Sequence, residues 1–440
     1  MSVHPDALSS AHDHGAKGSH EVAPGEIAVG VVIGRASENF DFFVYGIASA
    51  LVFPTVFFPF ADRLTGALYS FALFALAFVV RPLGTILSLK IQQRWSRGTK
   101  LTVALFLLGT ATAGIAFLPG YSAIGPVAIV LLALFRMLQG MAMGGSWDGL
   151  PSLLALNAPK DRRGWYAMLG QLGAPVGFIV AAALFAYLMS SLSPQDFFDW
   201  GWRYPFYAAF AINVVALFAR LRLVVTNEYA RELGQRELEP VSIRELVDEK
   251  GKHVVIGAFA PLASYALFHI VTIFPLSWIL LFADQPVENF LRVQVVGGFI
   301  AIGGVLASGV IADRFGRVPT LGGVALAVAM FSGFAPTLLG GGEYAQDAFI
   351  LIGFLLLGLS YGQASGALTR NFGARYRYTG AALTTDFAWL IGAAFAPLVA
   401  LWLCANFGLA YLGAYLLSGA ISTLAALLVH QRLKRAAGNA

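Results

Sequence analysis

VVIGAFAPLASYALFHIVTIFPLSWILLF, Val254–Phe282, runs for 29 residues without one Asp, Glu, Lys or Arg. A helix needs about 20 apolar residues to cross roughly 30 Å of hydrocarbon, and this stretch exceeds that. Walking outward from it in both directions gives eleven further runs of the same kind. The twelve predicted spans fall near residues 27–53, 64–89, 101–118, 126–152, 165–189, 204–224, 254–282, 293–311, 319–339, 347–369, 380–403 and 408–429. The composition agrees. Of 440 residues, 58% are hydrophobic and 12% charged, against about 45–50% and about 25% in soluble domains. A mean hydropathy of +0.72 and 48 glycines suit helices packed closely in lipid. The single cysteine, Cys404, excludes an internal disulfide framework and a cysteine-based zinc site.

Charge placement sets the orientation. Twenty-three of the 29 Lys and Arg residues fall on the side of the two termini. The opposite side has Arg63, Arg203 and Arg292, and Arg35, Arg81 and Arg136 lie inside spans. The positive-inside rule places both termini in the cytoplasm of a bacterial-type inner membrane and accounts for the basic pI without nucleic acid. Residues 1–25 are polar, with no apolar core for a signal peptide, and read as a disordered cytoplasmic tail. The remaining divisions are a six-helix bundle over 26–225, a cytoplasmic linker over 226–252, a second bundle over 253–430 and a tail over 431–440. Two echoes support duplication: Arg94-Trp-Ser-Arg97 matches Arg314-Phe-Gly-Arg317, and Arg162-Arg163-Gly164 matches Arg375-Tyr-Arg377-Tyr-Thr-Gly380.

Gly309-Val-Ile-Ala-Asp313-Arg314-Phe-Gly316-Arg317 resembles the G-x-x-x-D-R-x-G-R loop of the major facilitator superfamily, and Arg136-Met-Leu-Gln139-Gly140 resembles its R-x-x-Q-G motif. Glu38-Asn-Phe-Asp41-Phe42-Phe43-Val-Tyr45-Gly46, Arg81-Pro82-Leu-Gly84 and Trp200-Gly-Trp202-Arg203-Tyr-Pro205-Phe206 are similar to segments of its metabolite–proton symporter family. The resemblance implies an all-α membrane protein of twelve helices in two pseudo-symmetric bundles, working by alternating access. Departures fall on the acidic positions. Gln93 and Ser96 stand where the first loop usually has Asp and Gly. Ser146 replaces a usual Glu, Asp148 a Gly, and Asp386 an Asn.

Ionisable groups at mid-membrane are expensive and normally face a cavity with a partner. Span 1 carries Arg35, Glu38 and Asp41, whose three-residue spacing places them near one face with Tyr45. Asp41 and Arg136 lie at compatible depths, about 20 Å and about 15 Å along spans that enter from opposite sides. They are read as a proton-coupling pair, the alternative being a static ion pair that fixes packing. Glu38 is either a second proton site or the partner of Arg35. Substrate candidates are Arg136, Tyr45, Gln139, Gln171, His269 and Gln363, although a lone core histidine is more often neutral and hydrogen-bonded. Gating candidates are Arg81, Asp148, Arg94, Arg97, Asp313, Arg314, Arg317 and Asp386, with Asp386 expected to meet a basic group of the loop or span 2 such as Arg94. The loss of the first-loop Asp predicts a weaker latch there and a bias toward the inward-open state.

The spans hold no nucleophile–base pair, so an enzyme is not expected, nor a metal or cofactor. The expected partners are a small-molecule substrate, protons and membrane lipid, with the chain acting as a monomer. The function that follows is proton-coupled uptake of a small carboxylate-bearing metabolite, an organic acid or a zwitterion; the alternative is proton-driven efflux by antiport.

Overall fold

The computed structural model describes residues 24–146, 158–159, 161–225, 239–364 and 372–438. Numbered as the spans are, its helices are α1 (Pro24–Leu51), α2 (Arg63–Arg94), α3 (Arg97–Phe117), α4 (Pro126–Gly145), α5 (Arg163–Leu169 and Gly173–Ser191) and α6 (Tyr204–Val225). The second half has α7 (Ile243–Phe259, Leu262–Thr272 and Phe274–Phe282), α8 (Val287–Phe315), α9 (Arg317–Leu339), α10 (Glu343–Ala364), α11 (Gly373–Gly392 and Ala396–Phe407) and α12 (Ala410–Gly438). Ten of the twelve meet the length and hydropathy of a span on the described residues alone; α1 and α6 pack beside them.

Helix ends follow local chemistry. Asp62 caps α2 by accepting from the Leu64 and Thr65 amides at 3.1 Å, and Ser96 caps α3 through the Thr99 amide at 3.0 Å. Pro126 opens α4, where its missing N–H costs nothing. Between α8 and α9 the chain turns at Gly316, whose φ of 91° favours glycine. Span 7, read as one run, is three pieces, with a break at Pro261 and another just before Pro275. Its apolar window is 83% buried, against 39% for α4, so the freed backbone groups sit in protein rather than lipid.

The halves repeat one pattern. In the first, α2 packs on α4, α3 on α6, and α1 on α5 and α6; in the second, α8 packs on α10, α9 on α12, and α7 on α11 and α12. Glycine permits the tightest of these approaches. A methyl group on Gly140 would overlap the Ala77 main chain of α2, and one on Gly358 would overlap the Ala301 main chain of α8. Across the halves α5 meets α8, α2 meets α11, and α1 meets the last piece of α7.

Two boundaries differ from the sequence reading. The helix of α7 starts at Ile243, inside the stretch taken as linker, because Leu246 and Val254 form one apolar face against Phe372 and Leu383. Arg375 of α11 reinforces this dock by pairing with Glu245 at 2.7 Å. The predicted C-terminal tail is largely a continuation of α12, which runs to Gly438. Residues 1–23 of the predicted N-terminal tail and 226–238 of the predicted linker lie outside the described residues.

Candidate functional site

In α1 each step of three residues turns 300°, so Asp41 ends about 120° round the helix from Arg35. The charges therefore drift off a shared face. Arg35, Glu38 and Phe42 face a cavity between the halves, with Arg35 Nη1 bonded to Glu38 Oε2 at 2.9 Å. Asp41, 2% exposed, instead turns among α3, α4 and α6. Its Oδ2 accepts from Thr112 Oγ1 at 2.6 Å and Asn213 Nδ2 at 2.5 Å. Its Oδ1 accepts from Gln139 Nε2 at 3.1 Å.

The sequence reading paired Asp41 with Arg136 directly; the structure places Gln139 between them. Arg136 Nη1 donates to Gln139 Oε1 at 3.1 Å, and its Nε donates to the Phe74 carbonyl at 3.2 Å. The guanidinium, 1% exposed, is caged by the rings of Tyr45 at 3.9 Å, Phe74 at 4.9 Å and Phe42 at 5.7 Å. Desolvated cation–π contacts of this kind contribute about 2 kcal/mol or more. Arg136 Nη2 and Tyr45 Oη have no hydrogen-bond partner among the described residues. Gln139, expected to bind substrate, is thus occupied as a bridge, reaching Thr112 Oγ1 as well at 2.9 Å.

The cavity, about 70 Å³ in volume, has Phe42, Phe78 and Trp389 along one wall, with Arg81, Gln171, Tyr265 and Tyr361 around it. Gln171 is delivered there by the break in α5. His269 of α7 lies behind the aromatic wall, fully buried.

On the face that carries the chain ends, polar contacts join the halves. Arg81 Nε of α2 stands 2.8 Å from Asp386 Oδ1 of α11, and Thr85 Oγ1 donates to Asp386 Oδ2. Asp386 therefore finds its basic partner in span 2, but in Arg81 and not in Arg94, whose guanidinium lies 5.8 Å from the Trp95 ring. Asp313 accepts from the Gly164 and Trp165 amides at 2.5 and 3.1 Å, so a carboxylate sits on the N-terminus of α5, where the helix dipole favours it. Gln363, expected at the substrate, belongs to this latch: its Nε2 donates to the Gly164 carbonyl at 3.1 Å, and its Oε1 accepts from Arg317 Nε at 3.0 Å. It sits at the end of α10, level with that loop.

The first-half loop lacks the aspartate, yet its side is latched too. Lys100, 1% exposed, donates to Tyr378 Oη at 2.7 Å, and Tyr378 donates to Gln92 Oε1 at 3.0 Å. Gln93 donates to the Pro240 carbonyl at 3.1 Å. The expected inward-open bias is not the arrangement described: this face is joined. On the opposite face Gly46 abuts Ile273 and α1 lies along Phe274–Phe282.

Arg314 lies 5.4 Å from the Phe315 ring, and Arg97 begins α3. Asp148 lies outside the described residues. Sequence reasoning missed Thr112, Asn213, Thr85, Gln92, Lys100 and Tyr378. Asn213 and Thr112 carried a usable signal as polar side chains inside apolar spans.

A model of the Major Facilitator Superfamily matches residues 120–389. The chain is 35% identical to the inner membrane metabolite transport protein YhjE of Escherichia coli, over 92% of this chain and 93% of that one. It is 31% identical to the shikimate transporter of Escherichia coli, over 91% and 93%. A crystal structure of a D-xylose–proton symporter superposes with a TM-score of 0.67 at 18% identity, covering 91% of this chain and 96% of the other, a likeness of fold.

Proposed function

Because this chain belongs to the Major Facilitator Superfamily, and is a multi-pass transporter rather than an enzyme, we propose that it takes up a small carboxylate-bearing metabolite together with a proton. The observation that carries the reading is the buried Asp41 carboxylate, held among the described residues by three neutral donors and linked by hydrogen bonds to Arg136 through Gln139. Asp41 can exchange a proton with no ion pair to break. Arg136 offers Nη2 to an incoming carboxylate, a charge-assisted bond stronger than its bond to the neutral Gln139 amide. When substrate draws the guanidinium away, Gln139 loses its donor and its grip on Asp41 changes. Protonation of Asp41 is then coupled to occupancy of Arg136. Glu38, bonded to Arg35, is the second acid in line.

Alternating access follows from two bundles that meet through α5–α8 and α2–α11, with latches on the face of the chain ends. That face is cytoplasmic in this reading, supported by its basic residues and by a relative named for the inner membrane. The transporter works as a monomer.

External pH in lightly buffered, de-energised cells expressing the protein tests the reading, as a panel of organic acids and betaines is added. An alkaline shift for one compound that vanishes in Asp41→Asn is expected. A shift that persists in Asp41→Asn moves the proton site to Glu38. No shift with any compound, with the protein present in the membrane, overturns uptake by symport in favour of efflux.

A further inference from the structure

Between α1 and α5 of the first half and α7, α8 and α10 of the second lies another cavity, of about 20 Å³. Its walls include the rings of Phe43, Phe178 and Phe354, and Ala174, Ala301 and Gly358 leave the space open by being small. Every residue that lines it is buried, so this chamber belongs to the protein interior and not to the lipid face. No polar atom opens into it among the described residues; the Thr272 hydroxyl on its wall is spent on the Phe268 carbonyl at 2.7 Å. A space of this size is large enough for a water, but a buried water needs two or more polar partners. This one suits an apolar group. Tyr361 lines both the chamber and the cavity of Arg81 and Gln171, so its ring is the partition between them. Gln171 at the cavity and Ala174 at the chamber are three residues apart on α5, about 5 Å at helical rise.

We propose that this chamber is a subsite for the apolar end of the substrate, and that the substrate is a monocarboxylate with an unbranched tail of a few carbons. The inference rests on the carboxylate reading above and narrows it. The carboxylate stays on the cavity side, beside Arg81 and, behind Phe42, Arg136. The tail passes Tyr361, whose ring turns aside, and fills the chamber. Atoms that line a dry void lack contacts on one side, and a methylene chain supplies them. A polar group placed there would be buried without a partner, so the chamber selects against acids whose far end is polar. A tail held in it touches Phe43 and Ala174 of one half and Ala301 and Phe354 of the other, so its release requires the halves to part.

Direct binding to purified full-length protein at fixed pH separates this proposal from proton coupling. The probes are acetate, butyrate, hexanoate and octanoate, with succinate as an acid that is polar at both ends. In the wild type, affinity should rise by about fourfold per methylene from acetate and level off by octanoate, once the chamber is full. Ala301→Leu fills the chamber from α8 and should weaken hexanoate by about tenfold or more, toward acetate. Val305→Ala enlarges the chamber and should carry the rise on to octanoate, which keeps the test open if Ala301→Leu fails to fold. A rise that the folded variants leave as in the wild type overturns the proposal and assigns the trend to nonspecific partition of the tails. Succinate binding together with a flat monocarboxylate series overturns it while leaving the carboxylate reading intact. Binding of no acid by the wild type overturns both.

Discussion

Removing the charge of Asp386 should open the face of the chain ends. Arg81 and Asp386 are 8% and 3% exposed and join α2 of one half to α11 of the other. At 2.8 Å and an effective dielectric of about 20, two unit charges attract by about 6 kcal/mol. Desolvation offsets most of this, and when the halves part both groups regain water. A net bias of about 1–3 kcal/mol toward the joined state remains, a change of about 5- to 150-fold in the ratio of the two states. Asp386→Asn keeps a hydrogen-bonding side chain beside Thr85 and Arg81 and should fall at the lower end. Arg81→Met leaves a carboxylate buried between the halves without its cation and should fall higher. The assay uses a Cys404→Ala background, since Cys404 is the single native thiol, with a reporter cysteine at Ser146 on the cavity wall. Labelling by a membrane-impermeant maleimide is compared in right-side-out and inverted vesicles. From the face of the chain ends, Asp386→Asn should label about fivefold faster or more, and the exchange Arg81→Asp with Asp386→Arg should restore the slow rate. Equal rates in wild type, both single variants and the exchange would refute the reasoning, because the pair would then contribute nothing to the equilibrium.

Gln139→Leu removes the bridge between Asp41 and Arg136 while leaving both. Accumulation driven by a proton gradient should fall about tenfold or more while substrate counterflow persists, and a melting temperature lowered by an unsatisfied buried group worth about 1–3 kcal/mol should accompany it. Gly140→Val forces side-chain atoms onto the Ala77 main chain and should abolish folded protein in the membrane, measured by fluorescence-detected size exclusion. Gly303→Val, with open space around it, should express as the wild type does. Lys100→Met and Asp313→Asn each weaken one latch, at Tyr378 and at the N-terminus of α5. Each should speed labelling at Ser146→Cys from the face of the chain ends, and the double variant should do so additively within about 0.5 kcal/mol because the two contacts share no partner.

What the sequence made legible follows from what lipid demands. A span must be apolar over its full length and satisfy its own backbone, so the number and order of spans could be counted directly. The breaks of α7 were written in Pro261 and Pro275, but a run of uniform hydropathy hides them, since a proline inside a buried span changes direction without changing polarity. Depth was legible too: rise per residue put Asp41 and Arg136 at one level. Rotation was not, because a three-residue step lags a full turn by about 60°, and two such steps carried Asp41 past the cavity and onto Thr112 and Asn213. The latches show a harder limit. The missing aspartate at Gln93 is visible locally and argues for a weak contact. The contact that stands there comes from Lys100 and Tyr378, 278 residues apart, and neither belongs to the loop motif. A motif records the residues one solution requires; another pair brought to the same place by the fold satisfies the same mechanical need and leaves no trace in the motif. The cage around His269 has the same character: a histidine inside an apolar run is visible in the sequence, but the rings that surround it come from four helices and both halves. The residues whose roles depend on the meeting of the two halves are therefore those that only the fold can assign.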